Sequence, residues 1–451
     1  MLQETTLHTH PIEAGLPAQD AADSSPRAYA WVVFALTFAL LLSDYMSRQV
    51  LNAVFPLLKA TWGLSDTRLG SLSSIVALMV GVLTFPLSVV ADRWGRVRSI
   101  VLMAALWSLA TLGCAAAASY GQMLLARAFV GVGEAAYGSV GVALIISIFP
   151  ARLRSTLTGA FMAGGAFGSV LGMAAGGVLA VHLGWRAAFG MMAGFGFVLV
   201  LAFRLVVTEA RIARNRGAQV PVQGAAHEAR KAGRPSLRSV LAGLFSTVSV
   251  NCAYLGSALQ LFIMGAVIAW LPSFLNRYYG LPPDRAAVAA AVFVLLGGTG
   301  MIVCGVVTDR VSRHAPGRKW TMAIAFSLLS FALLGGGFHM SPGPLQLVLL
   351  GAGIFVVAGT SGPAGAMVAN LTHESIHSPA FATLTLVNNL VGLAPGPLVV
   401  GFIADRIGLL GALQAAPLVA LVAAFAFVLG KRRYGAGLQA VRSRHPASAP
   451  Q

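Results

Sequence analysis

The chain has 451 residues, of which 57% are hydrophobic and only 10% charged, too few polar side chains to cover a soluble globule of this length. Its formal net charge of +17 raises the question of a nucleic-acid partner, which the placement of the basic residues excludes below. Cys114, Cys252 and Cys304 all fall inside apolar runs, a pattern that suggests neither a disulfide framework nor a thiolate metal site.

Residues 1–27 are polar and lack the basic start and small-residue cleavage site of a secretory signal, so a disordered cytoplasmic tail is expected there. Apolar runs then recur at 29–58, 69–91, 99–118, 121–149, 156–181, 184–207, 244–278, 286–308, 319–338, 344–371, 380–403 and 408–430. Each is long enough to cross about 30 Å of hydrocarbon, which takes about 20 helical residues. The strands of a β-barrel would instead be about ten residues of alternating polarity. The expected fold class is an all-α membrane protein of twelve transmembrane helices in two six-helix bundles. The boundaries read from composition are a first bundle over 28–208, a cytoplasmic linker over 209–240, a second bundle over 241–431 and a basic cytoplasmic tail over 432–451.

The basic residues divide by side of the membrane. With the amino terminus inside, cytoplasmic segments hold 22 of the 31 Lys and Arg residues, among them Arg93, Arg96, Arg152, Arg154, Arg310 and Arg313. The opposite loops hold six: Lys59, Arg68, Arg186, Arg277, Arg285 and Arg406. This is the positive-inside bias; it places both termini in the cytoplasm and assigns the excess charge to topology and anionic lipid, with no nucleic-acid partner.

The halves echo each other. "ADRWGR" puts Asp92 and Arg93 after the second span and "TDRVSR" puts Asp309 and Arg310 after the eighth; "GSVLGMAAGG" begins at Gly168 in the fifth span and "GLAPGPLVVG" at Gly392 in the eleventh. Gly164, Gly168, Gly172 and Gly176 recur every four residues, which lines them on one helix face for close packing against a neighbour. Pro397, after Gly396, adds an expected kink in the eleventh span.

Four charges lie within apolar runs at mid-depth: Asp44 and Arg48 in the first span, Arg127 and Glu134 in the fourth. A charge at the bilayer centre costs at least roughly 2.5–3.5 kcal/mol, so such residues face a cavity or a partner and mark function. Arg127 and Glu134, seven residues apart, share a helix face, and Asp44 and Glu134 have matching depth. The cluster reads as a proton-titratable carboxylate, Glu134 with Asp44 as the second candidate, beside anion-binding guanidinium groups on Arg127 and Arg48. A static charge cluster that fixes packing is the structural alternative. Tyr45, Tyr137, Tyr254, Gln260, Asn388 and Asn389 are candidates for further hydrogen bonds to substrate or for interhelical packing. Trp270, Phe274, Tyr278 and Tyr279 read as an interfacial aromatic belt.

On "ADRWGR", "TDRVSR", the duplicated six-span plan and "GWRAAF" at 184–189, the chain resembles the major facilitator superfamily over nearly its whole length. "DYMSRQVL" at 44–51, "GVGEAAYG" at 131–138 and "NNLVGLAPGP" at 388–397 are similar to its spinster-like and anion:cation symporter branches. Ser88 stands where the loop signature usually has Gly, Ser47 precedes Arg48 where those relatives have Asp, and Met173 replaces the Pro of the antiporter pattern. The resemblance implies alternating access by rocking of the two halves, with Asp92, Arg93, Arg96, Asp309 and Arg310 latching the cytoplasmic side. Together with the buried charges it implies a proton-coupled secondary transporter of a small organic anion in a bacterial inner membrane, acting as a monomer without a cofactor. Efflux or lysolipid transport of the spinster-like type is the alternative.

"HESIH", His373 to His377, matches the zinc-protease pattern of two His one helical turn apart with a Glu base. An intramembrane metalloprotease and a transporter-like receptor are therefore the rivals from other classes. The stretch falls at a short cytoplasmic loop, is followed at once by Pro379, and has no evident third ligand. No metal site and no enzymatic activity are expected.

Overall fold

At three junctions between successive spans the chain reverses on one residue. Gly95, Gly184 and Gly408 have φ of 91°, 87° and 82° with ψ of 148°, 150° and 158°, a region that a Cβ would strain. Gly408 stands 224 positions after Gly184, so the turn between the fifth and sixth spans recurs between the eleventh and twelfth.

The computed structural model describes residues 28–215, 243–313, 315, 317–372 and 376–444. The expected tail over 1–27, most of the linker and His373 and Glu374 lie outside the described residues. In the first half the spans are Ala28–Ala53, Asp66–Trp94, Arg96–Ala116, Tyr120–Glu134 continued by Tyr137–Ile148, Ala151–Leu183 and Trp185–Val206. In the second they begin with Val248–Tyr279, Pro283–Ser312, Arg318–His339 and Pro344–Val357, the last continued by Ser361–Asn370. One apolar helical stretch of 61 residues, Pro379–Gln439, then turns back at Gly408 and supplies the last two crossings. Among the described residues there is no strand. Twelve crossings bring Ala28 and Arg444, the two ends of the described residues, to one face of the bundle.

Three boundaries differ from the sequence reading. The first span stops at Ala53, because Pro56 starts a separate helix, Phe55–Trp62, that Gly63 ends in the left-handed region at φ 60°. The linker opens with a helix, Glu209–Asn215, whose Glu209 carboxylate accepts the Val97 N–H at 3.0 Å at the start of the third span. The last helix runs to Arg444, through the start of the stretch expected as a tail.

The glycine face packs as its spacing predicts. A Cβ on Gly164, Gly168, Gly172 or Gly176 would meet Phe38, Leu42, Met46 and Val50 of the first span in turn, at 2.5 to 2.9 Å. Gly392 and Gly396 repeat the arrangement against Ala258 and Phe262 of the seventh span. Lipid gives no hydrophobic drive for helix association, so this approach of backbones supplies packing that larger residues would prevent. Gly172→Leu is expected to destabilise the fold by about 1–3 kcal/mol or more, whereas Gly190→Leu, where a Cβ meets nothing within 4 Å, leaves it unchanged. Apparent melting temperatures in detergent check this, and equal losses at both positions would remove the packing role.

At the face opposite the chain ends the two halves touch. Gly401 lies on the backbone of Asp66, Gly70 on that of Pro397 and Gly177 on Ala287. The Phe55 ring sits 5.3 Å from the Trp270 ring across the same seam.

Candidate functional site

The first span carries Asp44, Tyr45, Arg48 and Gln49 at i, i+1, i+4 and i+5, so Asp44 with Arg48 and Tyr45 with Gln49 form two adjacent rows one turn apart. Tyr45 and Gln49 face a half-open cavity of about 210 Å³ between the halves, lined also by Met162, Ala166 and Ser169 of the fifth span, Met264 of the seventh, Met301 of the eighth and Ser361 of the tenth. Asp44 and Arg48 turn toward the fourth span. There Glu134 is the last residue of the helix before a break at Ala135 and Ala136. The tenth span breaks at the equivalent place, in a tighter turn over Ala358–Thr360. Interrupted helices at mid-membrane are where transporters build polar sites.

The structure brings Asp44, Arg48 and Glu134 together. Arg48 Nε stands 3.8 Å from Glu134 Oε2, with the Arg48 side chain 22% exposed and that of Glu134 4%. Asp44 lies against Glu134 and also near both Arg48 and Arg127. Asp44 Oδ1 and Glu134 Oε1 are buried and accept no hydrogen bond from the protein. Two carboxyls side by side in an apolar bundle repel when both are ionised, and a proton shared between them removes that repulsion. The group can therefore hold or release a proton, and each change of its charge is felt by Arg48.

Arg127 has a different place from the one its sequence suggests. It is fully buried, and its guanidinium donates to the carbonyls of Ser47 at 3.1 Å, Arg48 at 3.4 Å and Leu72 at 3.4 Å. It ties the first and second spans together behind the acids and does not face the cavity. Tyr137 likewise belongs to the core: its hydroxyl donates to Thr37 O at 2.7 Å and its ring packs 4.9 Å from Trp107.

The remaining candidates spread over the second half. Tyr254 is buried beside Phe245, with ring centroids 6.0 Å apart. The Gln260 side-chain oxygen accepts the Ser330 hydroxyl at 3.5 Å. Asn388 and Asn389 begin a π-helical turn, Asn388–Leu393, a bulge that frequently marks function. There Asn389 donates to Thr385 O at 2.9 Å and packs on Gly81 of the second span, while the buried Asn388 Oδ1 has no hydrogen-bond partner. None of the four is in the wall of the central cavity, where Tyr45 stands alone among the candidate substrate ligands.

At the face of the chain ends, Arg96 donates to Ala143 O at 3.1 Å and Asp309 pairs with Lys319 at 3.8 Å; Arg93 and Arg310 are exposed. The Asp92 side chain lies outside the described residues. His377 Nε2 stands 3.0 Å from Ala369 O and 3.1 Å from Thr372 O, and among the described residues no group of three or more His, Cys, Asp or Glu could hold a metal ion.

Sequence reasoning missed two sets of residues. Gln49, Ser169 and the three methionines complete the cavity; the alignment of Gln49 one turn after Tyr45 was the available signal. The second set is a lock between the halves at the far face, where Asp66 takes Arg277 and Lys59 together, at 2.7 and 2.6 Å. Its cations had registered only as loop charge.

The Major Facilitator Superfamily profile matches residues 37–316 and, in a second overlapping segment, 253–449. The chain belongs to that superfamily. It is 29% identical over 377 residues to the gallate transporter of Pseudomonas putida, covering 77% of this chain and 80% of that protein. It is 28% identical over 428 residues to protein spinster homolog 1 of Homo sapiens, covering 88% of this chain and 76% of the relative. The fold is that of the inward-facing, unoccupied crystal structure of a bacterial homolog of the human lysosomal transporter spinster, with a TM-score of 0.79, 18% identity and coverage of 92% and 99%. The chain is thus a multi-pass membrane transporter and not an enzyme, which removes the metalloprotease reading of "HESIH".

Proposed function

We propose that this transporter carries a small carboxylated organic anion of the single-ring aromatic class together with one proton, with Arg48 reading the carboxylate and the Asp44–Glu134 pair holding the proton. The observation that carries the reading is the position of Arg48, partly exposed beside Tyr45 and Gln49 of the cavity yet 3.8 Å from Glu134. When both acids are ionised, two negative charges offset Arg48 and Arg127. A proton on the pair leaves the cluster with surplus positive charge, which favours an anion at Arg48, and the anion in turn favours the proton. Such coupling is reciprocal and loads both or neither, which is symport.

The likeness to a gallate transporter supports an aromatic acid. A half-open cavity of about 210 Å³ with methionines around Tyr45 suits one ring and its carboxylate. The positive-inside bias supports cytoplasmic termini in the inner membrane, so the face where the halves touch is the outer one.

Purified protein in proteoliposomes is expected to take up gallate or 4-hydroxybenzoate when the outside is acidified. Arg48→Gln should weaken anion binding more than about tenfold, since a charge-assisted hydrogen bond is worth about 1.5–3 kcal/mol. Uptake of lysophospholipid with no response to aromatic acids would overturn the reading, as would unchanged binding in the variant.

A further inference from the structure

The far-face lock uses the same chemistry as the proposed central site. Asp66, at the start of the second span, receives Arg277 of the seventh span in a two-point fork, Nη1 to Oδ2 at 2.8 Å and Nη2 to Oδ1 at 2.7 Å. Lys59 donates to its Oδ1 at 2.6 Å. Asp405 of the eleventh span adds a second tie by accepting the N–H groups of Asp66 at 2.7 Å and Thr67 at 2.9 Å and the Thr67 hydroxyl at 2.6 Å. One carboxylate thus holds cations from both halves, and it is 4% exposed while Arg277 and Lys59 remain 27% and 40% exposed.

Lys59 and Asp66 belong to the first half and Arg277 to the second. Parting the halves at this face therefore leaves Lys59 with Asp66 and strips Arg277 of the carboxylate its fork now reads. Opening hydrates this guanidinium and leaves its fork free, and a bidentate carboxylate can take the place of Asp66. The loops of this face carry six Lys or Arg residues against three acids, Asp66, Asp284 and Asp405, so anions concentrate there.

We propose that Arg277 is the first carboxylate-binding group the transported anion meets on entering from outside, and that Asp66 is a built-in competitor that reclaims the fork as the gate closes. The proposal rests on the organic-anion reading above. An anion at Arg277 replaces the pairing that opening breaks, so substrate outside favours the outward-open state. On closure, Asp66 returns to the fork and releases the anion toward Arg48.

Two substitutions separate an entrance site from a mere latch, because they remove opposite members of one pair. Gallate binding is measured calorimetrically in an Arg48→Gln background, which weakens the central site. Adding Asp66→Asn is expected to tighten binding by at least about threefold; adding Arg277→Gln should not. With Arg48 intact, Asp66→Asn should lower the outside KM for gallate and Arg277→Gln should raise it. In parallel, Phe55→Cys, placed in a chain without Cys114, Cys252 and Cys304, reports opening by its reaction with an impermeant maleimide. Labelling should rise in both variants, since either one breaks the lock. Binding and KM that move the same way in both variants would overturn the entrance role, and unchanged labelling would overturn the gate. If the wild type fails to transport gallate while the opposed binding changes persist, the functional reading fails and the carboxylate site stands.

Discussion

Glu134→Gln is expected to abolish accumulation driven by a pH gradient while substrate exchange continues. The amide keeps the shape of the side chain and its place at the helix break before Ala135, but it neither takes up nor releases a proton. One proton carried with one monovalent anion moves no net charge, so a gradient of one pH unit sustains about a tenfold substrate gradient, 1.4 kcal/mol, and membrane potential adds nothing. The variant should hold no gradient at all under the same ΔpH. Exchange should survive because Arg48 keeps its place and loses an anionic competitor 3.8 Å away. Concentrative uptake by Glu134→Gln under ΔpH alone would refute coupling through this residue and pass the role to Asp44, whose carboxyl lies against it. A response of the wild type to membrane potential would show that net charge moves in each cycle, as with more than one proton per anion.

The features legible in the sequence are those that one helix carries by itself. Apolar length yields the spans, and glycines every four residues yield the face on which the fifth span meets Phe38, Leu42, Met46 and Val50. Equal depth brought Asp44 and Glu134 together on paper because depth follows from counting along each helix. What the sequence withheld depends on two or more backbones at once. The carbonyls that take up Arg127 belong to Ser47, Arg48 and Leu72, and carbonyls leave no trace in residue type. The break after Glu134 falls on two alanines, which are good helix formers, and the π turn at Asn388 inserts a residue no periodicity announces. The far-face lock joins Asp66 to Arg277, 211 residues on, and to Asp405, 339 residues on. Such pairs exist only once the repeat has closed on itself.

Arg127→Ala is expected to damage the fold before it damages binding. The wild-type guanidinium is fully buried and donates to three carbonyls from two spans; its loss unties the two spans, opens a cavity and removes a cation near Asp44 and Glu134. Breaking a buried charged network of this kind costs about 3–5 kcal/mol, which corresponds to a fall of roughly 3–5 °C in apparent melting temperature for a chain of this size. Arg127→Lys should recover only part of that loss, because an ammonium is a point charge and cannot fork across carbonyls on neighbouring helices. Glu134→Gln combined with Arg127→Ala should be less destabilised than the sum of the single changes, since one of the two acids left sharing Arg48 has been neutralised. Thermal unfolding followed by size-exclusion monodispersity compares the wild type with all four variants. Full stability of Arg127→Ala together with lost anion binding would restore Arg127 as the anion ligand. Loss of stability with binding retained in the folded fraction assigns that task to Arg48 alone.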